Sequence, residues 1–375
     1  MDRIIKENQK WIDEVWGKIE SKLSKTAVLS KNKIPYSTKD GIHDDYTESI
    51  GWWTNGFWPG LMWIMYDATG EEKYKEVAEI TEEKLDKALF NYEMLYHDVG
   101  FMWHISAGAN YRLTGNQKSK NRNLMAASAL MSRYNANAGF IRAWNEPNAI
   151  GWAIIDCMMN VPLLYWASQE IGDPRFKQVA MNHADKTMAN HIRPDGSVIH
   201  VVEYDINNGD FVSAPSTQGY DPENSSWSRG QAWALYGFVL SYIHTKKTEY
   251  LDTAKKVAHY FISAVCTEGF IPKADFRCPD EPVYIDTTAG AIAACGLIEI
   301  ARNVPEFEKK LYLNAAIEIL KALDAEQCDW SEGEQSILQN GSECHGKGVH
   351  KPIIYGDYYF VEAIYKLKGN DKLFW

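Results

Sequence analysis

Apolar residues recur at helical spacing in about twelve segments of this chain, and that recurrence constrains its fold more than any other feature. The segments read as helices over 3–24, 55–69, 72–90, 101–114, 119–134, 150–171, 174–191, 229–245, 248–266, 286–302, 307–326 and 356–368. Strand signals are sparse. Ser197 to Tyr204 alternates and is β-branched, which predicts a strand in a hairpin with the segment near Phe211. Three turns between helices, at Thr69–Tyr74, Ile171–Phe176 and Lys247–Tyr250, share one pattern. A helix ends near Gly, an acidic or hydroxyl residue starts the next, and an aromatic opens its buried face. The repeated unit is a helical hairpin. With no linker to break residues 1–375, the pattern predicts one all-α domain, an (α/α)6 barrel of six hairpins with a small β-hairpin near the site. An open solenoid is the rival. The long irregular insertions after the fifth, seventh, ninth and eleventh segments favour the closed ring, because they suit a site built over one barrel end.

The formal net charge of −11 argues against nucleic acid or an anionic membrane surface as partner, though a local Arg or Lys can still hold a small anion. The charged start of the chain lacks a signal-peptide apolar core, and no stretch reaches the length of a membrane span. The six cysteines form no CxxC pair, and Cys157 and Cys295 lie in apolar helical runs. Buried free thiols in a reducing, cytoplasmic setting are expected. The chain is 13% aromatic, with 14 Trp and 21 Tyr, residues that fill cores but also offer flat faces to sugar rings.

Five constellations carry candidate chemistry. Gly51–Gly60 (Gly-Trp-Trp-Thr-Asn-Gly-Phe-Trp-Pro-Gly) places aromatics at a loop mouth, where Trp53 or Trp58 stacks on a sugar or fills the core. In His97–Phe101, Asp98 stands just before a helix, and the ordinary reading is an N-cap. Asp156 is different: it sits early in an expected helix among almost exclusively apolar neighbours. A carboxylate there is costly unless paired or poised at a cavity, and burial beside a second carboxylate would raise its pKa into the working range of a general acid. In Gln218–Trp233 a polar loop enters a helix with Arg229 in its first turn, against the helix dipole, so a substrate carboxylate is a better partner for it. Arg229 and Trp233 are four apart and share a face. His200 adds a titratable group on the expected strand, and glycines around Lys347 make a loop that either brings a cation to an anion or is merely solvated. The sequence has no HExxH, no phosphate-binding glycine signature, no Gly-x-Ser-x-Gly elbow and no zinc-like spacing, so neither a metal nor a cofactor is expected.

Taken in order, the segments Trp53–Trp58, His97–Phe101, Ala143-Trp144, Ile154–Asn160, Gln218–Trp233 and Gly356–Tyr359 resemble the unsaturated glucuronyl hydrolases, glycoside hydrolase family eighty-eight. The resemblance implies an (α/α)6 barrel and hydration of a vinyl ether. Its substrates would be oligosaccharides, such as glycosaminoglycan disaccharides, whose non-reducing uronate carries a C4=C5 double bond left by a lyase. It implies that Asp156 is the general acid/base and Asp98 its partner carboxylate. His200, Gln218, Trp227 and Arg229 would line the unsaturated sugar's subsite, with Trp53, Trp144 and Trp233 as stacking walls and Lys347 near a sulfate. The sequence departs from the family at Asn145-Glu146-Pro147-Asn148, at Val201–Tyr204 and at Cys344-His345. An unsaturated rhamnogalacturonyl hydrolase, a sugar 2-epimerase on the same barrel and a non-catalytic carbohydrate-binding toroid are the alternatives. A monomer or a homodimer is equally compatible with the sequence.

Overall fold

The computed structural model describes residues 3–215, 218–221 and 223–375, so Met1, Asp2, Ser216, Thr217 and Pro222, the last within the Gln218–Trp233 segment, lie outside it. Among the described residues there are twelve α-helices: α1 (Arg3–Leu29), α2 (Phe57–Thr69), α3 (Glu72–Leu89), α4 (Ala107–Thr114), α5 (Gln117–Ser132), α6 (Pro162–Ile171), α7 (Pro174–His191), α8 (Ser228–Thr245), α9 (Thr248–Cys266), α10 (Thr287–Asn303), α11 (Glu306–Glu326) and α12 (Ile354–Leu367). The hairpin turns follow the pattern read from the sequence. Gly70 (φ 71°) and Gly172 (φ 69°) end their helices in the left-handed region that a Cβ disfavours. The Asp173 carboxylate then caps α7 by accepting from the Arg175 N–H.

The even-numbered helices form an inner ring. α2 packs on α12, α12 on α10, α10 on α8, and α8 on α6; α4 and the π-helical turn Gly100–His104 close the circuit back to α2. The odd-numbered helices lie outside, and α1 pairs with α12, so the first helix completes the last hairpin. This is an (α/α)6 barrel. Burial follows position: α8 is buried without a break from Ser228 to Ser241, α10 from Thr287 to Ala301, and α12 along its whole length. The outer helices α1, α3 and α9 bury one stripe each. Among the described residues, no helix is long and apolar enough to cross a membrane.

The small sheets lie in the insertions. β1 (Thr38–Lys39) pairs with β2 (Ile42–His43), and β3 (Tyr134–Asn135) with β4 (Phe140–Ile141). β5 (Trp152–Ile154), β6 (Val201–Tyr204) and β7 (Phe211–Ser213) form one antiparallel sheet. β6 and β7 are the expected hairpin, but β5 overturns the helix expected over 150–171. That segment is a strand, then a 3₁₀ turn (Ile155–Met159), and becomes α-helical only at Pro162. A short apolar run has no periodicity of its own to separate strand from helix, and Pro162 at the first helical position lets α6 begin there.

Asp156 therefore stands on a tight turn rather than early in a helix. The turn lies directly on α8 because α8 has no side chain at Gly237. A Cβ at Gly237 would come 2.5 Å from Met158 Cβ and 2.8 Å from the Met158 carbonyl oxygen. Gly237→Ala should cost about 1–3 kcal/mol by overpacking, seen as a lower thermal unfolding midpoint; an unchanged midpoint would contradict this close approach.

Candidate active site

β5 delivers the chain into the Ile155–Met159 turn, and the Ile155 N–H donates to the His200 carbonyl at 3.0 Å. That bond sets His200 beside Asp156, with Nε2 3.4 Å from Asp156 Oδ1. The distance is within ion-pair range. Asp98 comes from the segment ahead of the π-helical turn, with the His97 N–H bonded to the Ala143 carbonyl at 3.1 Å. The head of this turn makes no side-chain cap bond, so Asp98 does not serve as the N-cap that its position suggests. Arg133 holds the surrounding backbone: it donates to the carbonyls of Leu95, Ala143 and Arg142 at 2.8–2.9 Å and to Asn145 Oδ1 at 2.8 Å.

Both aspartates open on one cavity of about 490 Å³. Their ionisation is displaced in opposite directions. Burial and the neighbouring Asp156 charge push the Asp98 carboxyl well above the usual range, offset only in part by Arg133. Burial also pushes Asp156 up, but the hydrogen-bonding and charge of His200, with the charge of Arg229, outweigh it and leave Asp156 below the usual range. His97 faces both carboxyls, yet burial drives it down to about 3, so it is neutral near pH 7. The sequence led us to expect the raised pKa on Asp156. It falls on Asp98, because His200 and Arg229 converge on Asp156 and that convergence is invisible along the chain.

Arg229 is buried at the head of α8 and lines the cavity. It is already held from within: Asp286 Oδ2 accepts from Nη1 at 3.1 Å, the Glu343 carbonyl from Nη2 at 2.6 Å, and the Ser342 carbonyl from Nη1. Its guanidinium lies over Trp227 at 4.5 Å and Tyr355 at 5.2 Å from the ring centroids, and Nε has no partner. Trp227 in turn meets His200 edge-on at 4.6 Å. Gln218 lines the same cavity, with Cys344 Sγ 3.1 Å from its side-chain oxygen. Trp53, Trp144 and the exposed Lys347 reach the cavity from three other loops.

Trp233 does not. It is fully buried one turn deeper along α8, against Phe101 and Tyr359, so the stacking wall expected there is core. The four-residue spacing put it on the face of Arg229 but could not report depth. Trp58 is core as well, edge-on to His43. Sequence reasoning assigned no role to Glu343, Tyr36 or Tyr355, which line the cavity. Glu343 Oε1 accepts from the Tyr36 hydroxyl at 2.6 Å and from Lys351 at 3.2 Å. Glu146, in a departure already noted, lines it too. Among the described residues, no cluster of three or more His, Cys, Asp or Glu is placed to hold a metal ion.

The chain is similar to known proteins over most of its length. An unsaturated glucuronyl hydrolase of Bacillus sp. strain GL1 is 37% identical over 334 residues, 86% of this chain and 88% of that protein. An unsaturated chondroitin disaccharide hydrolase of Streptococcus pyogenes is 35% identical over 350 residues, 90% of this chain and 86% of that protein. The crystal structure of an unsaturated glucuronyl hydrolase from Streptococcus agalactiae superposes with a TM-score of 0.89 at 32% identity, covering 97% of this chain and 94% of that one. The sequence model of Glycosyl Hydrolase Family 88 matches residues 26–368, and this chain belongs to that family.

Proposed function

We propose that this protein removes the Δ4,5-unsaturated uronate from the non-reducing end of lyase-generated oligosaccharides, glycosaminoglycan disaccharides among them, by hydrating the vinyl ether. The observation that carries the reading is a pair of buried aspartates with opposite displacements, sharing one cavity with a buried arginine. The activities named for the relatives above support it.

In this reading the pair shares one proton, held before substrate docks by Asp98, the carboxyl that is pushed up. The uronate carboxylate docks toward Arg229 and offsets the positive charge that holds Asp156 low. The shared proton then passes to Asp156, which gives it to C4. Water adds at C5 and returns its proton to the Asp156 carboxylate. The resulting hemiketal opens, and the C–O bond to the remaining sugar breaks. Trp53, Trp144 and Trp227 supply flat walls, His200 and Gln218 polar contacts, and Lys347 a cation for an anionic substituent of the neighbouring sugar. No cofactor enters any of these steps. The reaction fits one catalytic domain over residues 1–375, and six free cysteines suit a reducing, cytoplasmic setting.

The test is loss of alkene ultraviolet absorbance from unsaturated disaccharides made by chondroitin, hyaluronan, heparin and pectin lyases. Asp156→Asn should lower kcat by roughly a thousandfold or more, and no loss of absorbance with wild type on any of these substrates would sink the proposal. Arg229→Lys should raise KM by about tenfold or more, because an ammonium cannot reproduce the two-sided fork; an unchanged KM would remove the carboxylate role. The pH profile has a definite sign. The raised pKa belongs to the proton the reaction needs, so kcat/KM should fall as pH rises through it. A rate that climbs steadily across neutral and alkaline pH would contradict a protonated pair.

A further inference from the structure

Asn160 is fully buried beneath the cavity and is not among its lining residues. Its side-chain oxygen accepts from the Phe101 backbone N–H at 2.8 Å. Its side-chain nitrogen donates to the Asp156 backbone carbonyl at 3.1 Å. The first bond reaches the turn that follows Asp98, satisfying a donor that a helix start would leave orphaned. The second reaches the residue that carries the other carboxylate. One short side chain thus spans the two backbones, and a carboxamide suits the place because it offers an acceptor and a donor together. The approach is close: a Cβ at Gly100 would sit 2.7 Å from both Asn160 Cα and Asn160 Oδ1.

We infer that Asn160 is a positioning residue that yokes the Asp98 and Asp156 turns at a fixed separation, with Gly100 as the gap that lets the yoke close. The inference rests on the catalytic reading of the aspartate pair given above. A small increase in that separation weakens the repulsion of Asp98 by Asp156 and misplaces the acid relative to C4. Reacting groups displaced by about 1 Å lose on the order of a hundredfold in rate. The groups facing Asp98 are Asp156 and Cys157 from the 3₁₀ turn, Arg133 from the end of α5, and its own neighbours Tyr96 and His97. Besides Asp98 and Cys157, those facing Asp156 are His200, His97, His191, Arg229 and Tyr359. A change at Asn160 removes none of these titratable or charged side chains, so a displaced titration reports the geometry of the pair.

Two variants loosen the yoke from opposite sides: Asn160→Ser shortens it, and Gly100→Ala wedges it open. Each should lower kcat by about 30- to 100-fold with KM within about threefold of wild type. Each should also move the alkaline limb of kcat to lower pH by about half a unit or more. If Asn160→Ser does not fold, Gly100→Ala carries the same test. A folded variant with kcat within about threefold of wild type would overturn the inference. So would a lowered unfolding midpoint and lowered kcat with the limb unmoved, since a merely structural side chain gives that result. Isotope-edited NMR of the Asp98 carboxyl reads the same displacement without substrate. A wild type inactive on every unsaturated disaccharide would then overturn the catalytic reading, while an unshifted Asp98 titration would overturn the yoke.

Discussion

The site depends on one fully buried carboxylate, that of Asp286. Its Oδ1 caps α10 by accepting from the Thr288 N–H at 3.2 Å and also accepts from the Ser342 N–H at 3.2 Å, while Oδ2 holds Arg229 at 3.1 Å. One side chain thereby joins the heads of two inner helices to the loop that brings Glu343, Cys344 and Lys347 over the cavity. A buried ion pair of this kind contributes little net stability, but removing one partner leaves an uncompensated charge, at a cost of about 3–5 kcal/mol. Its value here is geometric: it fixes where positive charge sits in the cavity floor.

Charge placement then separates two chemically identical acids. Both aspartates are buried, and burial alone would push both carboxyls up. Asp156 faces His200 and the guanidinium that Asp286 has oriented, whereas Asp98 faces Asp156 with only Arg133 in partial opposition. The result is a pair of carboxyls displaced in opposite directions, Asp98 up and Asp156 down. In the proposed reaction a uronate carboxylate at Arg229 ties recognition of the substrate to readiness of the acid.

The aromatic wealth of the chain divides along the same line between site and scaffold. Trp53, Trp144 and Trp227 reach the cavity, while Trp58, Trp63, Trp103 and Trp233 are buried in the barrel. Composition alone could not sort them, since an indole suits both settings.

The helical hairpins were legible in the sequence because periodicity and turn chemistry are local: eleven of the twelve expected segments coincide with helices to within a few residues along most of their length, and the hairpin of β6 and β7 stands where alternation placed it. The unusual position of Asp156 among apolar neighbours was legible for the same reason. Three things were not. The front of the 150–171 segment is a strand because its partner, β6, lies some fifty residues away, beyond any local signal. Trp233 lies in the core because depth along α8 is a property of the ring and not of residue spacing. The raised pKa falls on Asp98 and not on Asp156, because that difference is made by His200 and Arg229, which meet Asp156 only when the barrel closes. The chain's own pattern determined which segments are helices and which residues are chemically out of place; tertiary structure alone decided which charges meet, because electrostatic interaction depends on distance through space and carries no trace of order along the chain.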